Sequence, residues 1–229
     1  MKIKYKMLRN LSPRPVLERL AGAIWQLSML GFKPGEGHFS RYSMYKSLRS
    51  HLAGASFGDK VLSISHSDHL CELFGIPKTN IIQANYPTYN ICDLSLPNES
   101  VTSVISDQVF EHISCVPNRA VDECYRVLVP GGLAIHTTCF LMPYHGSSDY
   151  NDRDNGDYWR FTPSGLRLLH GRYSKIICAA GWGTPLMNVF TSLGLHRMPV
   201  PQNHWHPLNA LARCNRASYA YVVWVVAQK

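Results

Sequence analysis

The stretch "ICDLSLPNESVTSVISDQVFEHISCVPNRAVDECYRVLVPGGLAIHTT", residues Ile91–Thr138, decides the fold. Within it, Val101–Ser106 is apolar and β-branched enough for a buried strand, and a polar segment follows. Asn118–Val129 is predicted to be a helix that ends at Pro130-Gly131-Gly132, directly before a second strand at Leu133–Phe140. The apolar face of this helix has helical spacing and comprises Val121, Cys124 and Leu128.

The same alternation of strands and helices extends on both sides of this stretch. Thr162-Pro163 is a good N-cap and first-turn pair for a helix through Leu169. The alternation favours an α/β fold with a mostly parallel sheet and helices on both faces, in which ligands bind at the carboxyl ends of the strands. The further predicted strands are Val61–Ser65, Ile81–Asn85, Ser174–Ala180 and a last, central one at Tyr219–Ala227.

Two segments flank or interrupt this pattern. Residues 1–57 are predicted to form an N-terminal helical lid, and residues 58–229 the main domain with an insertion at 184–218 that holds two short helices. The N-terminal segment contains an apolar stretch too short to span a bilayer. We expect it to form an amphipathic helix whose apolar face comprises Leu17, Leu20, Ile24 and Leu27.

The composition bounds the function classes. Apolar residues make up 45% and charged residues 17%, as in a soluble globular protein. The formal net charge of +8 is compatible with nucleic acid, but no RNA-binding appendage accompanies it. The seven cysteines form no Cys-x-x-Cys pair, so they speak against a disulfide framework and predict a reducing, cytoplasmic location.

The opening stretch resembles the class I S-adenosylmethionine-dependent methyltransferases, in the type 11-like branch that includes polysaccharide-associated O-methyltransferases. The matching pieces, in order, are Asp93-Leu94, Pro97, Asp107 to His112, Glu123, Arg126-Val127-Leu128 and Pro130-Gly131-Gly132. The resemblance implies a Rossmann-like sheet whose last strand is antiparallel, and S-adenosyl-L-methionine as cofactor. It covers roughly residues 60–180.

The resemblance also implies which residues bind the cofactor. It gives Asp93 the role of accepting from the adenine amine, while the Leu94 amide donates to a ring nitrogen. It places Asn85 where an acidic residue would hold the ribose, and Tyr42 of the lid over the ligand. Asp107 and Gln108, after the next strand, complete the expected cofactor set.

The loop after the first strand departs from this family's pattern. It reads Ser65-His66-Ser67-Asp68-His69, where two or three glycines normally let the backbone approach the cofactor. We expect Ser65, His66 and Ser67 to contact the cofactor nevertheless. Because each Cβ narrows that approach, the alternative is a methyltransferase fold that has lost its cofactor site and serves as a binding or partner subunit.

A second stretch, residues 136–169, carries the groups expected at the acceptor. Its Asp157-Tyr158-Trp159-Arg160 element is similar to one found in methyltransferases of this branch. Carboxylates and an aromatic face suit a sugar, because its hydroxyls need acceptors and its C–H faces pack on rings. The predicted acceptor-binding residues are Glu111, Asp149, Asp157, Tyr158, Trp159 and Arg160.

The sequence therefore predicts an O-methyltransferase acting on a sugar or another polyhydroxylated small acceptor. We expect His145 to act as the general base, with His112 as the second candidate, because histidine exchanges a proton near neutral pH. We predict no metal site: His66 and His69 have ligand spacing but no accompanying ligand, and the 149–157 carboxylates are a weaker possibility. A homodimer is compatible with the sequence, a membrane span is not, and a nucleic-acid substrate is the weakest of the readings.

Overall fold

In the computed structural model, the described residues are 14–32, 37–149, 151–152, 155–192, 199–201, 203–211 and 213–229. The helices are α1 (Arg14–Ser28), α2 (Phe39–His51), α3 (Asp68–Leu73), α4 (Pro117–Val127), α5 (Pro163–Leu169), α6 (Pro185–Ser192) and α7 (Pro207–Leu211). The strands are β1 (Gly37–His38), β2 (Val61–Ile64), β3 (Ile81–Ala84), β4 (Val101–Asp107), β5 (Leu128–Cys139), β6 (Lys175–Trp182), β7 (Pro199–Val200) and β8 (Val222–Gln228). Short 3-10 turns cover Lys78–Asn80, Phe110–His112 and Ala217–Tyr219.

Six strands form one sheet in the order β3-β2-β4-β5-β8-β6, and β1 pairs with β7 separately. The pairs among β3, β2, β4 and β5 are parallel, whereas β8 runs antiparallel to both of its neighbours. The first six residues of β8 are all buried, as a run of valines with one tryptophan between two strands requires. The predicted Rossmann-like methyltransferase sheet with an antiparallel, central last strand is thus confirmed.

Helices cover both faces of this sheet, so there are two apolar layers. On one face Ala21 of α1, Met44 and Leu48 of α2 and Leu70 of α3 pack against alternate strand residues. On the other face α4 and α5 bury Ala120, Val121, Cys124, Val127 and Leu166. Since α2 supplies core residues, the N-terminal segment packs against the sheet that carries the site.

The predicted start of α5 agrees with the structure, whereas Gly131 and Gly132 lie in a strand and not in a connection between helix and strand. Thr162 accepts a hydrogen bond from the Gly165 amide and caps α5 as expected. Pro130-Gly131-Gly132, predicted to separate a helix from a strand, lies inside β5. Gly131 has a φ of +80°, and a Cβ on Gly132 would lie 2.9 Å from the Thr102 carbonyl oxygen. Both glycines are therefore required where β5 bends against β4, whose register is irregular there.

The predicted apolar face of α1 is wrong for Leu20 and Leu27 and right for Ile24. Leu20 and Leu27 are 50% and 68% exposed, while the small residue Ala21 is fully buried. Ile24 and Trp25 pack partly against the core, and the Trp25 indole donates to the Pro199 carbonyl oxygen at 2.8 Å. The helix thus contacts the core through Ala21, Ile24 and Trp25, while Leu20 and Leu27 face outward. The side chain of Leu17 lies outside the described residues.

One cysteine pair also corrects an expectation. Cys92 and Cys115 form a disulfide with Cα atoms 6.3 Å apart, which ties the segment after β3 to the segment before α4. The cysteines were expected to stay reduced because their sequence spacing shows no pattern; the fold brings these two together across 23 residues. Among the described residues, no helix combines the length and the apolar character that a membrane crossing needs.

Candidate active site

A cleft of about 290 Å³ opens at the carboxyl ends of β2 and β4, where a parallel sheet binds its ligands. Three predicted site residues line it: Ser65, Gln108 and His112. The remaining lining residues are Tyr86, Tyr89, Asn90, Ile91, Val109, Ile113 and Ser114. The cleft thus combines two tyrosine rings with hydroxyl, amide and imidazole groups.

The glycine-free loop after β2 keeps a conformation that glycine normally supplies. Ser65 and His66 have φ values of 48° and 62°, in the left-handed region that L-residues rarely adopt. The Ser65 amide donates to the Ala84 carbonyl oxygen at 3.0 Å, and the His66 amide donates to Asn85 Oδ1 at 2.8 Å. Two residues that carry a Cβ thus adopt a left-handed backbone, at a cost of about 1–2 kcal/mol per residue.

The next two residues of the loop bond to the protein itself. Ser67 is buried; its hydroxyl donates to the Ile64 carbonyl oxygen and accepts from the Asp107 amide at 2.8 Å. Asp68 Oδ1 accepts from the Ser63 hydroxyl at 2.6 Å and from Gln83 at 2.7 Å. Ser67 therefore positions the loop, and of the predicted loop contacts only Ser65 lines the cleft.

Asp107, at the end of β4, links α2 to the edge of the sheet where the cleft lies. Its Oδ2 accepts from Arg41 at 3.0 Å and from the Tyr45 hydroxyl at 2.6 Å, while the Thr137 hydroxyl donates to Oδ1. Burial and the neighbouring Asp107 carboxylate both raise the pKa of Tyr45, so this hydroxyl keeps its proton and donates. Half-buried Tyr42 lies on the same helix.

Of the two residues predicted to bind adenine, Asp93 is exposed to solvent, whereas the Leu94 amide already donates a hydrogen bond within the protein. The Asp93 side chain is 79% exposed and lies 3.7 Å from Arg119, while Asn90 and Ile91 beside it in sequence line the cleft. The Leu94 amide, expected to donate to a ring nitrogen, instead donates to Glu123 Oε2 at 2.8 Å. The Leu94 amide hydrogen is therefore not available to a ligand. Glu123 is itself held by Arg126, and both residues belong to α4.

On the other side of His112, three predicted site residues, His145, Asp157 and Arg160, form a polar cluster. His145 Nδ1 lies 3.2 Å from Asp157 Oδ2 and 3.1 Å from the Pro143 carbonyl oxygen, and its amide also donates to Asp157. Arg160 donates to both carboxylate oxygens of Asp157, and its Nε donates to the Met142 carbonyl oxygen at 3.1 Å. Asp157 and Arg160 thus fasten the loop that carries His145.

The two predicted base candidates lie side by side. The rings of His112 and His145 meet edge to face with centroids 4.9 Å apart. His112 Nδ1 lies 2.6 Å from the Gly156 carbonyl oxygen, so this nitrogen carries the hydrogen and leaves Nε2 with its lone pair. Burial, only partly offset by Pro143 and Asp157, lowers the pKa of His145, which keeps this ring neutral near pH 7.

Glu111 lies beneath this cluster and is fully buried. Its Oε2 accepts from the Thr138 hydroxyl at 2.8 Å, and burial raises the pKa of the carboxyl group. Its backbone oxygen accepts hydrogen bonds from the Tyr158 and Trp159 amides. These bonds join the segment that contains the predicted acceptor-binding residues to the turn after β4. Trp159 donates to the Ile113 carbonyl oxygen at 2.9 Å; Tyr158 is 43% exposed and Asp149 lies at the surface.

Two features of the site were not predicted from the sequence: the tyrosines in the cleft wall, and the contacts that attach α2 to Asp107. Tyr86 and Tyr89 follow β3 in the chain, and both residues line the cleft. The pairing of Arg41 and Tyr45 with Asp107 crosses more than 60 residues. An aromatic turn after a strand is visible in sequence, whereas a long-range ion pair leaves no local signal.

Comparison with known proteins adds a family match. Residues 43–136 match the family described as "Methyltransferase domain". No curated protein sequence matches the chain.

Several solved structures are similar in architecture. An S-adenosylmethionine-dependent methyltransferase from Mesorhizobium loti is 13% identical, with 80% of this chain and 96% of that chain covered and a TM-score of 0.48. A SAM-dependent methyltransferase from Archaeoglobus fulgidus is 14% identical over 82% and 94% of the two chains, with a TM-score of 0.46. A phosphoethanolamine N-methyltransferase from Haemonchus contortus is 12% identical over 82% and 52%, at 0.48. Similarity at this level carries no information about the acceptor.

The matched residues run from α2 through β5 and include the strands whose ends form the cleft. They contain Ser65, Gln108 and His112, so the family match and the cleft coincide. Over residues 43–136 the chain therefore matches a methyltransferase domain, and S-adenosylmethionine is the cofactor that this match supports.

Proposed function

We propose that the protein is an O-methyltransferase that acts on a hydroxyl group of a sugar or another polyhydroxylated small acceptor. The observation that carries this proposal is the His112–His145–Asp157 arrangement at the edge of the cleft. A hydroxyl acceptor must lose its proton as it is methylated, and a neutral imidazole with a free nitrogen suits that task. An amine that reaches the site unprotonated is already nucleophilic and would need no base for its attack.

The cleft has the chemistry that S-adenosylmethionine requires. The Tyr86 and Tyr89 rings offer apolar faces to an adenine, and Ser65 and Gln108 offer polar groups to a ribose. Asp93 has a largely exposed carboxylate close to the cleft wall, free to accept from an amine. When bound, this cofactor supplies an electrophilic methyl group on sulfur.

The histidine that lines the cleft is the better placed base. His112 Nε2 is the nitrogen left free by the Gly156 hydrogen bond, and it receives the acceptor proton. His145 packs against the His112 ring and restricts its orientation. His145, which does not line the cleft, is the second candidate for the base.

The acceptor site is proposed to continue from His112 along residues 145–160. Tyr158 is partly exposed and offers a ring face, while Asp149 offers a surface carboxylate. Trp159 and Arg160 bond to backbone oxygens and hold this wall in place. A polyhydroxylated ligand finds here the mixture of carboxylates and aromatic faces that sugars use.

Methyl transfer from cofactor labelled with ¹³C at the methyl group tests this function. The protein is incubated with a panel of monosaccharides, nucleotide sugars and small amines, and the products are read by NMR, which separates methyl on oxygen from methyl on nitrogen. Transfer to a sugar hydroxyl is expected. Transfer only to nitrogen would contradict the proposal.

Replacing the base separates its role from cofactor binding. His112→Ala is expected to lower turnover by about 10²–10⁴-fold, the range for a positioned general base, with cofactor affinity nearly unchanged. His51→Ala, at an exposed position of α2, is the matched control. A larger loss in His145→Ala than in His112→Ala would assign the base to His145 instead.

A further inference from the structure

Three side chains with metal-binding atoms converge just behind the cleft wall. A carboxylate oxygen of Glu111, the Sγ of Cys139 and a ring nitrogen of His145 all lie within 4.8 Å of one another. They come from the turn after β4, the last residue of β5 and the loop beyond it. Glu111 and Cys139 are fully buried, and His145 is partly buried.

The Glu111 carboxylate is incompletely satisfied. Its Oε2 accepts from Thr138, but its Oε1, although buried, accepts a hydrogen bond from none of the residues that the structure describes. A buried carboxylate oxygen without a hydrogen-bond partner is costly, and a bound metal ion is one way to satisfy it. Glu111 therefore points independently to a positively charged ligand at this position.

His145 has the carboxylate partner that metal-binding histidines commonly have. Its Nδ1 faces the Asp157 carboxylate at 3.2 Å and the Pro143 carbonyl oxygen, so the hydrogen sits on Nδ1 and Nε2 keeps its lone pair. A carboxylate behind the histidine fixes the ring and raises its basicity toward a metal ion. Arg160 holds Asp157 in turn through both carboxylate oxygens.

We propose that Glu111, Cys139 and His145 form a zinc site with an open fourth position. A thiolate, an imidazole and a carboxylate are the ligand types of zinc, whereas Ca²⁺ and Mg²⁺ prefer oxygen ligands alone. Zinc bonds of about 2.0–2.3 Å bring ligand atoms slightly closer than the present spacing, which side-chain rotations can supply. Binding releases the thiol proton of Cys139 to solvent, and the two ligand anions balance the dication.

A neighbouring group, His112, His145 and Asp157, also lies within 4.8 Å but fits a metal ion less well. Both Asp157 oxygens already accept hydrogen bonds from Arg160, so neither oxygen is left for a metal ion. Asp157 therefore supports His145 rather than binding the ion. The zinc site leaves His112 free to act at the cleft, and it does not depend on which acceptor is methylated.

Zinc affinity of the full chain is measured by competition with a chromophoric chelator after metal removal. One Zn²⁺ per chain is expected. Cys139→Ser is expected to lower the affinity by at least about 100-fold, and Asp157→Asn by about 10–100-fold. Cys178→Ser, a buried free thiol on β6, is the matched control and should bind zinc normally.

Cobalt substitution on the unaltered chain keeps the test independent of variant folding. Co²⁺ should give the thiolate charge-transfer absorption and the intense visible bands of a tetrahedral site, and both should vanish in Cys139→Ser. Two results would overturn the proposal: no stoichiometric zinc binding, or binding that survives Cys139→Ser without a charge-transfer band.

Discussion

Two Asp–Arg pairs, one on each side of the candidate active site, differ in burial and in the closeness of their contacts. Asp157 pairs with Arg160 through two short contacts, with 0% and 27% of the side chains exposed. Asp93 lies 3.7 Å from Arg119, with 79% and 60% exposed. On the acceptor side, buried charge fixes loops to each other. On the cofactor side, the Glu123–Arg126 pair holds the turn after Asp93, so Asp93 itself stays exposed.

The largest expected effect is on stability at the acceptor side. Asp157→Asn should lower the free energy of unfolding by about 3–4 kcal/mol, because it leaves Arg160 without its carboxylate. Asp93→Asn, the matched change in the exposed pair, should cost under about 1 kcal/mol. Urea unfolding measures both. Equal costs would show that the two pairs do not differ in the way proposed.

Acid should lower the free energy of unfolding through two buried histidines, one in β5 and one at the end of α5. Burial lowers the pKa of His170, at the end of α5, to about 4, and lowers that of His136, whose ring lies 5.3 Å from it, well below its usual value. The unfolded chain takes up these protons below about pH 6.5, so stability is full above that pH and falls between about 6.5 and 4.

His170 alone should contribute up to about 3 kcal/mol to this loss, as one pKa unit corresponds to about 1.4 kcal/mol. The other titratable group packed on its ring is Tyr173, which burial keeps protonated by raising its pKa. Unfolding measured at several pH values should show a shallower slope in His170→Phe than in the unaltered protein, and no change in His51→Ala. An unchanged slope in His170→Phe would exclude His170 as the source.

The exposed aspartate should matter for the cofactor rather than for the fold. Asp93→Ala should weaken binding of S-adenosylhomocysteine by about 1.5–3 kcal/mol, the usual contribution of a charge-assisted hydrogen bond. Calorimetric titration checks the affinity, and thermal unfolding checks that the variant is folded. Unchanged affinity in a folded variant would remove Asp93 from the site.

The smallest expected change in stability concerns Ser65, in the glycine-free loop after β2. Ser65→Gly removes a Cβ from a left-handed residue, so it should stabilise the fold by up to about 1 kcal/mol, partly offset by the larger freedom of glycine when unfolded. Ser100→Gly changes the same side chain just before β4, at a residue without a left-handed φ, and should destabilise slightly. A loss of stability in Ser65→Gly would mean that its hydroxyl matters more than its strain.

The sequence predicts the sheet well because its signals are local: apolar runs, the Thr162 cap and alternating strands and helices. It fails for the N-terminal helix, where the small residue Ala21 rather than a leucine faces the core. It also fails for the Cys92–Cys115 disulfide, since no spacing rule links two cysteines that the fold alone brings together. The convergence of His112 and His145 follows from strand order, while their supporting partners come from distant backbone oxygens.

Calorimetric titration of the unaltered protein with S-adenosylmethionine and S-adenosylhomocysteine tests the central claim, that a backbone held in a left-handed conformation replaces the missing glycines in a working cofactor cleft. The account predicts saturable binding of one molecule per chain, reduced in Asp93→Ala and retained or strengthened in Ser65→Gly. A folded protein that binds neither compound would contradict it, and would identify the fold as one that has lost its cofactor site.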